Sequence, residues 1–252
     1  MNARDVIASV HATMPTTRVP RVDMWRGYFG AALLAAAVVF IGFAPSYYLK
    51  GFAESRPLPP LLHVHGAVMT AWFALFIAQT WLVAAYRVDW HRRLGIFGAM
   101  LAVLVVVIGV MVGIESARLG HGPPGQALKF LVVPLGDALM FGALIGTALV
   151  LRRRRETHRR LMLLATLAIM TAAIARVLLL TGTSFAGVPI VVVAFALIDL
   201  VIAAFVVADV IRTRRLHPAF AWGFVFVVAT QVLRLLLAQT PQWTQFATWL
   251  TQ

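Results

Sequence analysis

A short basic motif occurs twice in this chain. Arg87-x-x-x-His91-Arg92-Arg93-Leu94 returns as Arg154-x-x-x-His158-Arg159-Arg160-Leu161, each time between two long apolar runs. Two imidazoles from different helices at one depth are the arrangement that axial ligation of a haem requires. His91 and His158 are therefore candidate axial ligands, and Arg92 and Arg159 are placed to meet haem propionates. The plainer role for either histidine alone is an interfacial side chain beside lipid phosphates, like the arginines next to it.

A second group of polar residues lies inside apolar stretches, where ionisable side chains are costly and are usually paired or functional. His63 and His65 are two positions apart, so on a helix they point about 200° from each other and cannot both face one ligand. His65, beside Gly66, is expected to face the bundle, where the glycine would let a flat group approach. It is a candidate cofactor ligand, single-metal ligand or base. With His63, Asp137, Arg176, Asp199 and Arg234 it also makes a candidate substrate-binding set, five of whose six members fall in one half of the membrane. Two readings stay open for the carboxylates and arginines. One is a structural network, for example Asp137 with Arg176 and Asp199 with Arg234. The other is a polar pocket for an anionic or redox-active ligand. His11, His121 and His217 lie in the tail or in loops and carry little signal.

The elements that must position these residues are membrane-spanning helices. Hydrophobic residues make up 61% of the chain and charged residues only 12%, about half the charged share of a soluble domain. The apolar residues fall in seven blocks of roughly 20 residues, the length that crosses a bilayer. The blocks run over 27–49, 61–86, 95–117, 130–151, 161–181, 188–211 and 219–239. The expected fold is all-α and polytopic, with a repeated two-helix hairpin. A tail over 1–26 precedes the seven-helix domain at 27–239, and 240–252 forms an aromatic, uncharged segment lying flat on the outer surface. Ala44-Pro45-Ser46-Tyr47-Tyr48 makes a poor cleavage site, so the first block reads as a retained helix.

The formal net charge of +13 is spread unevenly. Sixteen of the 22 lysines and arginines lie in the N-terminal tail and the loops around residues 87–93, 152–160 and 212–215. The positive-inside rule then puts the N terminus in the cytoplasm and the C terminus outside, in a cytoplasmic membrane. These clusters sit at helix ends, where anionic lipid explains them and nucleic acid is not needed. The chain has no cysteine, which removes disulfides and thiolate chemistry, so redox activity would need a bound cofactor. Phosphate-loop, His-Glu-x-x-His and nucleophile-elbow motifs are absent, and the histidines lack the carboxylate spacing of a di-iron helical site. The seventh block carries no lysine for a retinal Schiff base. Gly120-His-Gly-Pro-Pro-Gly125 reads as a tight turn.

The stretch from His63-x-His65-Gly66 through Gln79 and Arg87 to His91-Arg92-Arg93-Leu94-Gly95 and Gly98 resembles uncharacterised bacterial multi-pass membrane proteins. In these, one helix opens with histidine and the next with His-Arg-x-Leu-Gly. They are in turn similar in layout to membrane b-type cytochromes, in which histidines on successive helices hold haem near the two membrane faces. The resemblance implies haem b and electron exchange with a lipid-soluble partner such as quinone. The fourth block departs from it, offering Asp137 where a histidine matching His65 would stand. The inner pair His91 and His158 is thus the expected haem site. The alternatives are a cofactor-free transporter or small-molecule-binding protein and a membrane enzyme acting on a hydrophobic or lipid substrate.

Overall fold

The computed structural model describes residues 21–53, 57–182 and 187–252, with side chains from Gly27 onward. The expected tail over 1–26 therefore falls largely outside the described residues. Helices account for 83% of the chain, and no strand occurs among the described residues. Nine helices frame the site. They are α1 (Arg21–Phe43), α2 (Pro60–Ala84), α3 (Val88–Arg118), α4 (Val132–Val150), α5 (Arg155–Ala168), α6 (Thr171–Leu180), α7 (Ile190–Thr213), α8 (Pro218–Leu237) and α9 (Pro241–Leu250).

Seven helical stretches are long and apolar enough to cross a membrane, and they match the seven apolar blocks within a few residues except at two starts. The third span begins at Val88 and the fifth at Arg155, so both basic motifs are already helical. The two copies start alike. Arg87 and Arg154 are the cap residues of α3 and α5, and their carbonyls accept from the backbone N–H of His91 at 3.1 Å and of His158 at 3.0 Å. Each histidine thereby stands one turn into its helix.

The fifth span is two helices in line. Between α5 and α6, Met170 N–H bonds the Leu167 carbonyl at 3.0 Å, an i−3 bond, and the Thr171 hydroxyl donates to the Ala168 carbonyl at 3.3 Å. Tightened turns and hydroxyl back-bonding of this kind bend helices. This span lies at the centre of the bundle. α5 packs on α4, α7 and α8, and α6 packs on α1 and α7, while the α2–α3 hairpin closes the ring between α1 and α4. Leu163, Leu164, Phe141, Ile198, Ile202, Phe220 and Val227 fill the space around it.

Large apolar side chains also cover the outside of the bundle. Leu34, Phe97, Val103, Leu139, Leu200, Trp222 and Leu233 are all more than half exposed. A patch this extensive would drive aggregation in water and is what lipid tails cover. α9 starts at the Thr240 cap, whose hydroxyl accepts from Trp243 N–H at 3.2 Å. The Trp243 indole donates to the Leu128 carbonyl at 2.9 Å, which ties α9 to the short helical turn Ala127–Phe130 ahead of α4.

Candidate functional site

The helix caps bring His91 and His158 to one level, and their ring centres stand 6.4 Å apart with planes crossed at 81°. His158 Nδ1 lies 2.8 Å from the Ala148 carbonyl. That carbonyl is in the last turn of α4, where Arg152 N–H bonds Leu149 and leaves Ala148 without its usual helical donor. A carbonyl only accepts, so Nδ1 carries the proton and the Nε2 lone pair of neutral His158 is free.

His91 is held from behind by Gln79 of α2. With the amide nitrogen toward the ring, Gln79 donates to His91 Nδ1 and to the His91 carbonyl at 3.2 Å, and its oxygen accepts from Gly95 N–H at 3.0 Å. His91 then carries its proton on Nε2. Turning the amide over would let Nδ1–H donate to the Gln79 oxygen and free the His91 Nε2 lone pair, at the loss of the bonds to the His91 carbonyl and to Gly95 N–H. The pair can therefore present one N–H and one lone pair, or two lone pairs, according to one amide rotation.

The separation of the ring centres is that of two imidazoles on opposite sides of one metal. A first-row metal binds imidazole nitrogen at about 2.0–2.1 Å, and the ring centre lies about 1.1 Å behind it, so opposed ligands have centres roughly 6.3 Å apart. A back-side hydrogen bond on the second ring nitrogen is the usual companion of such ligation. The arginines expected beside the pair divide. Arg92 is exposed and 4.0 Å from Asp89. Arg159 is buried, 2.5 Å from Glu156, with its guanidinium over the Tyr28 ring, so its charge is committed there.

Arg159 belongs to an ion cluster that the sequence did not point out. Arg160, 1% exposed, donates from Nε and Nη2 to the two Asp209 oxygens at 3.0 and 2.8 Å, and from Nη1 to Glu156 at 2.7 Å. Asp209 lies one turn before Arg212, and an acid at that point of an apolar helix was the available signal. Beside the cluster, His217 Nδ1 accepts from Ala219 N–H at 3.1 Å and caps α8. Burial pushes the His217 imidazole below its usual range; Arg160 and Arg159 push the same way, and Glu156 and Asp209 oppose them.

In the opposite half, the expected pairing changes. Asp137 bonds Arg234 at 2.5 Å, not Arg176, and Asp199 accepts from Gln231 at 3.1 Å, not from Arg234. Arg234 is 4% exposed, lies over Phe195 and also donates to the Thr230 carbonyl at 2.9 Å. Gly136 makes the room, since a Cβ there would run into the Arg234 side chain. Helix order in the bundle puts α4 beside α8, which no spacing in the chain encodes.

Arg176 instead sits with His65. Its guanidinium stacks on Phe43 at 4.3 Å, at the end of α1, and the turn that follows packs Tyr47 against Gly66 beside His65. His65 Nδ1 is buried with no hydrogen-bond partner among the described residues, and His63 is exposed. The flat group against Gly66 is the Tyr47 ring, whose hydroxyl donates to the His63 carbonyl at 3.2 Å. The six-residue set is thus two separate sites. Among the described residues no three His, Cys, Asp or Glu side chains gather as a metal-binding group.

No family model matches this chain, and neither the curated proteins nor the solved structures hold a match.

Proposed function

We propose that this protein is a haem b-binding redox protein of the cytoplasmic membrane, with His91 and His158 as axial ligands and a lipid-soluble carrier such as quinone as its electron partner. The observation that carries the reading is the 6.4 Å separation of the two rings together with the Ala148 carbonyl behind His158 Nδ1. When bound, haem supplies a one-electron couple. The chain supplies the rest. Ala148 fixes the tautomer and orientation of His158, and Gln79, with its oxygen turned to the ring, would accept from His91 Nδ1–H. Arg92 and Arg93 are the exposed cations nearest His91 in the chain and are available to propionates or lipid phosphates.

The arginine-rich end faces the cytoplasm in this reading, on the charge distribution already described. The deciding experiment is an absorption spectrum of detergent-purified protein, as isolated and after dithionite. A Soret band that sharpens and shifts on reduction is expected in the wild type and in Asp137→Asn, and is expected to be lost in His91→Ala and in His158→Ala. A featureless visible spectrum from haem-replete cells would overturn the reading.

A further inference from the structure

We infer that Arg176, His65 and the widened turn at the end of α1 form a binding site for the oxyanion of a membrane amphiphile. The site is independent of the His91 and His158 pair and lies toward the other face of the bundle. Its origin is local. Pro45 has no N–H, so the helix that contains it loses a bond and opens into a π-helical turn over Ala44–Tyr48, closed by Leu49 N–H to the Ala44 carbonyl at 2.6 Å. The opening turns Tyr47 and Tyr48 toward α2. There Tyr47 occupies the gap above Gly66, and the Tyr48 hydroxyl meets the Thr70 hydroxyl at 2.8 Å.

Arg176 is the unusual member. It is four residues before the end of α6, about 6 Å by helical rise, yet Nη1 donates back to the Ala172 carbonyl at 3.2 Å. The guanidinium is thus drawn toward the middle of the span and away from the interface to which arginines ordinarily reach. No carboxylate of the described residues lies within ion-pair distance of it, in contrast to Arg234, Arg160 and Arg159, each of which has an acid. An uncompensated cation at that depth is unfavourable, and an anion from outside the chain removes the penalty.

The neighbours select an oxyanion. A guanidinium presents parallel N–H donors that match phosphate or carboxylate oxygens, and Phe43 beneath it holds its plane. His65 adds an imidazole whose Nδ1 has no hydrogen-bond partner among the described residues. The lipid-exposed apolar surface of α1 and α2, including Phe40 and Val64, is where an attached tail would lie.

The test uses the full-length protein, delipidated in neutral detergent, and follows its thermal unfolding midpoint. The additions are dioleoyl phosphatidylglycerol, oleate, dioleoyl phosphatidylcholine or inorganic phosphate. Phosphatidylglycerol or oleate is expected to raise the midpoint well above the effect of phosphatidylcholine. Arg176→Gln should raise the concentration needed at least tenfold, Arg176→Lys should fall between, and Arg118→Gln, an exposed arginine paired with Glu115, should behave as wild type. A response confined to phosphatidylglycerol identifies a phosphodiester headgroup, and one confined to oleate a carboxylate. An undiminished response in both Arg176 variants, or inorganic phosphate acting as well as the amphiphiles, would overturn the inference. Arg176→Gln should leave any Soret band unchanged, so failure here is separable from failure of the haem reading.

Discussion

At the residue scale, the neighbours of each ionisable group decide its role. Arg160 and Asp209 form a two-pronged pair that is almost fully buried. Without Asp209 the buried Arg160 keeps Glu156 as its acid. Asp209→Asn should therefore lower stability by about 1.5–3 kcal/mol, the worth of hydrogen bonds to a charged group, whereas Arg160→Met with Asp209→Leu should recover most of the loss. Unfolding of the three proteins in one detergent checks this, and a double variant no better than Asp209→Asn would contradict it. Gln79 offers a finer lever. In Gln79→Glu the carboxylate accepts from His91 Nδ1–H, makes the imidazole a stronger donor and should lower the reduction potential of the proposed haem. Gln79→Leu removes the back-side acceptor and should raise it. A potentiometric titration showing both variants at the wild-type value would argue against His91 as a ligand.

At the element scale, close helix contacts and caps carry the consequences. α1 meets α6 at Gly42, where a Cβ would stand 2.5 Å from the Ala173 carbonyl oxygen. That atom is backbone and cannot swing aside, so Gly42→Leu should force the helices apart and cost about 1–3 kcal/mol. A thermal midpoint equal to wild type would contradict this. The cap of α8 introduces a pH dependence. His217 caps through an unprotonated Nδ1, and its folded pKa is lowered, so the native state binds fewer protons than the unfolded one. The cap contribution is full above the unfolded pKa of about 6.5 and is lost as pH falls through that value and on through the folded one. His217→Asn, which caps without titrating, should flatten stability between roughly pH 7.5 and pH 5 relative to wild type. Parallel pH profiles for the two proteins would be evidence against it.

The two basic motifs teach the same lesson at this scale. The matching depth of their histidines was legible in the repeat, because equal spacing places them alike at the two helix starts. Their different fates were not. Asp89 and Arg92 remain in solvent, while Glu156, Arg159 and Arg160 are drawn into an ion cluster. What separates them is the position of the two helices, α3 at the edge of the bundle and α5 at its centre.

At the scale of the whole molecule, the bilayer is the solvent that makes the exposed apolar faces stable, and the arginines set the proposed orientation. The chain has no native cysteine, so single cysteines can be introduced without background. Arg153→Cys should react with an impermeant maleimide only after the membrane is opened, and His121→Cys should react from outside in intact cells. The reverse pattern would invert the topology and move the His91 and His158 pair to the outer face.

Seven apolar blocks, their limits to within a few residues except at the starts of α3 and α5, and the matching depth of His91 and His158 are determined by the sequence by itself. Each depends on hydropathy over one span length or on side chains within a turn of one another. Tertiary structure alone decided that Arg234, and not Arg176, neutralises Asp137, and that Arg160 meets Asp209 across 49 residues. It also decided that Tyr47 fills the space above Gly66 and that Gln79 and Ala148 stand behind the two histidines. The physical reason is that hydropathy says only that a face is buried, while lipid and protein interiors are nearly equally apolar. Which helices become neighbours is then settled by small residues that allow close approach and by polar groups finding partners, and neither leaves a periodic mark along the chain.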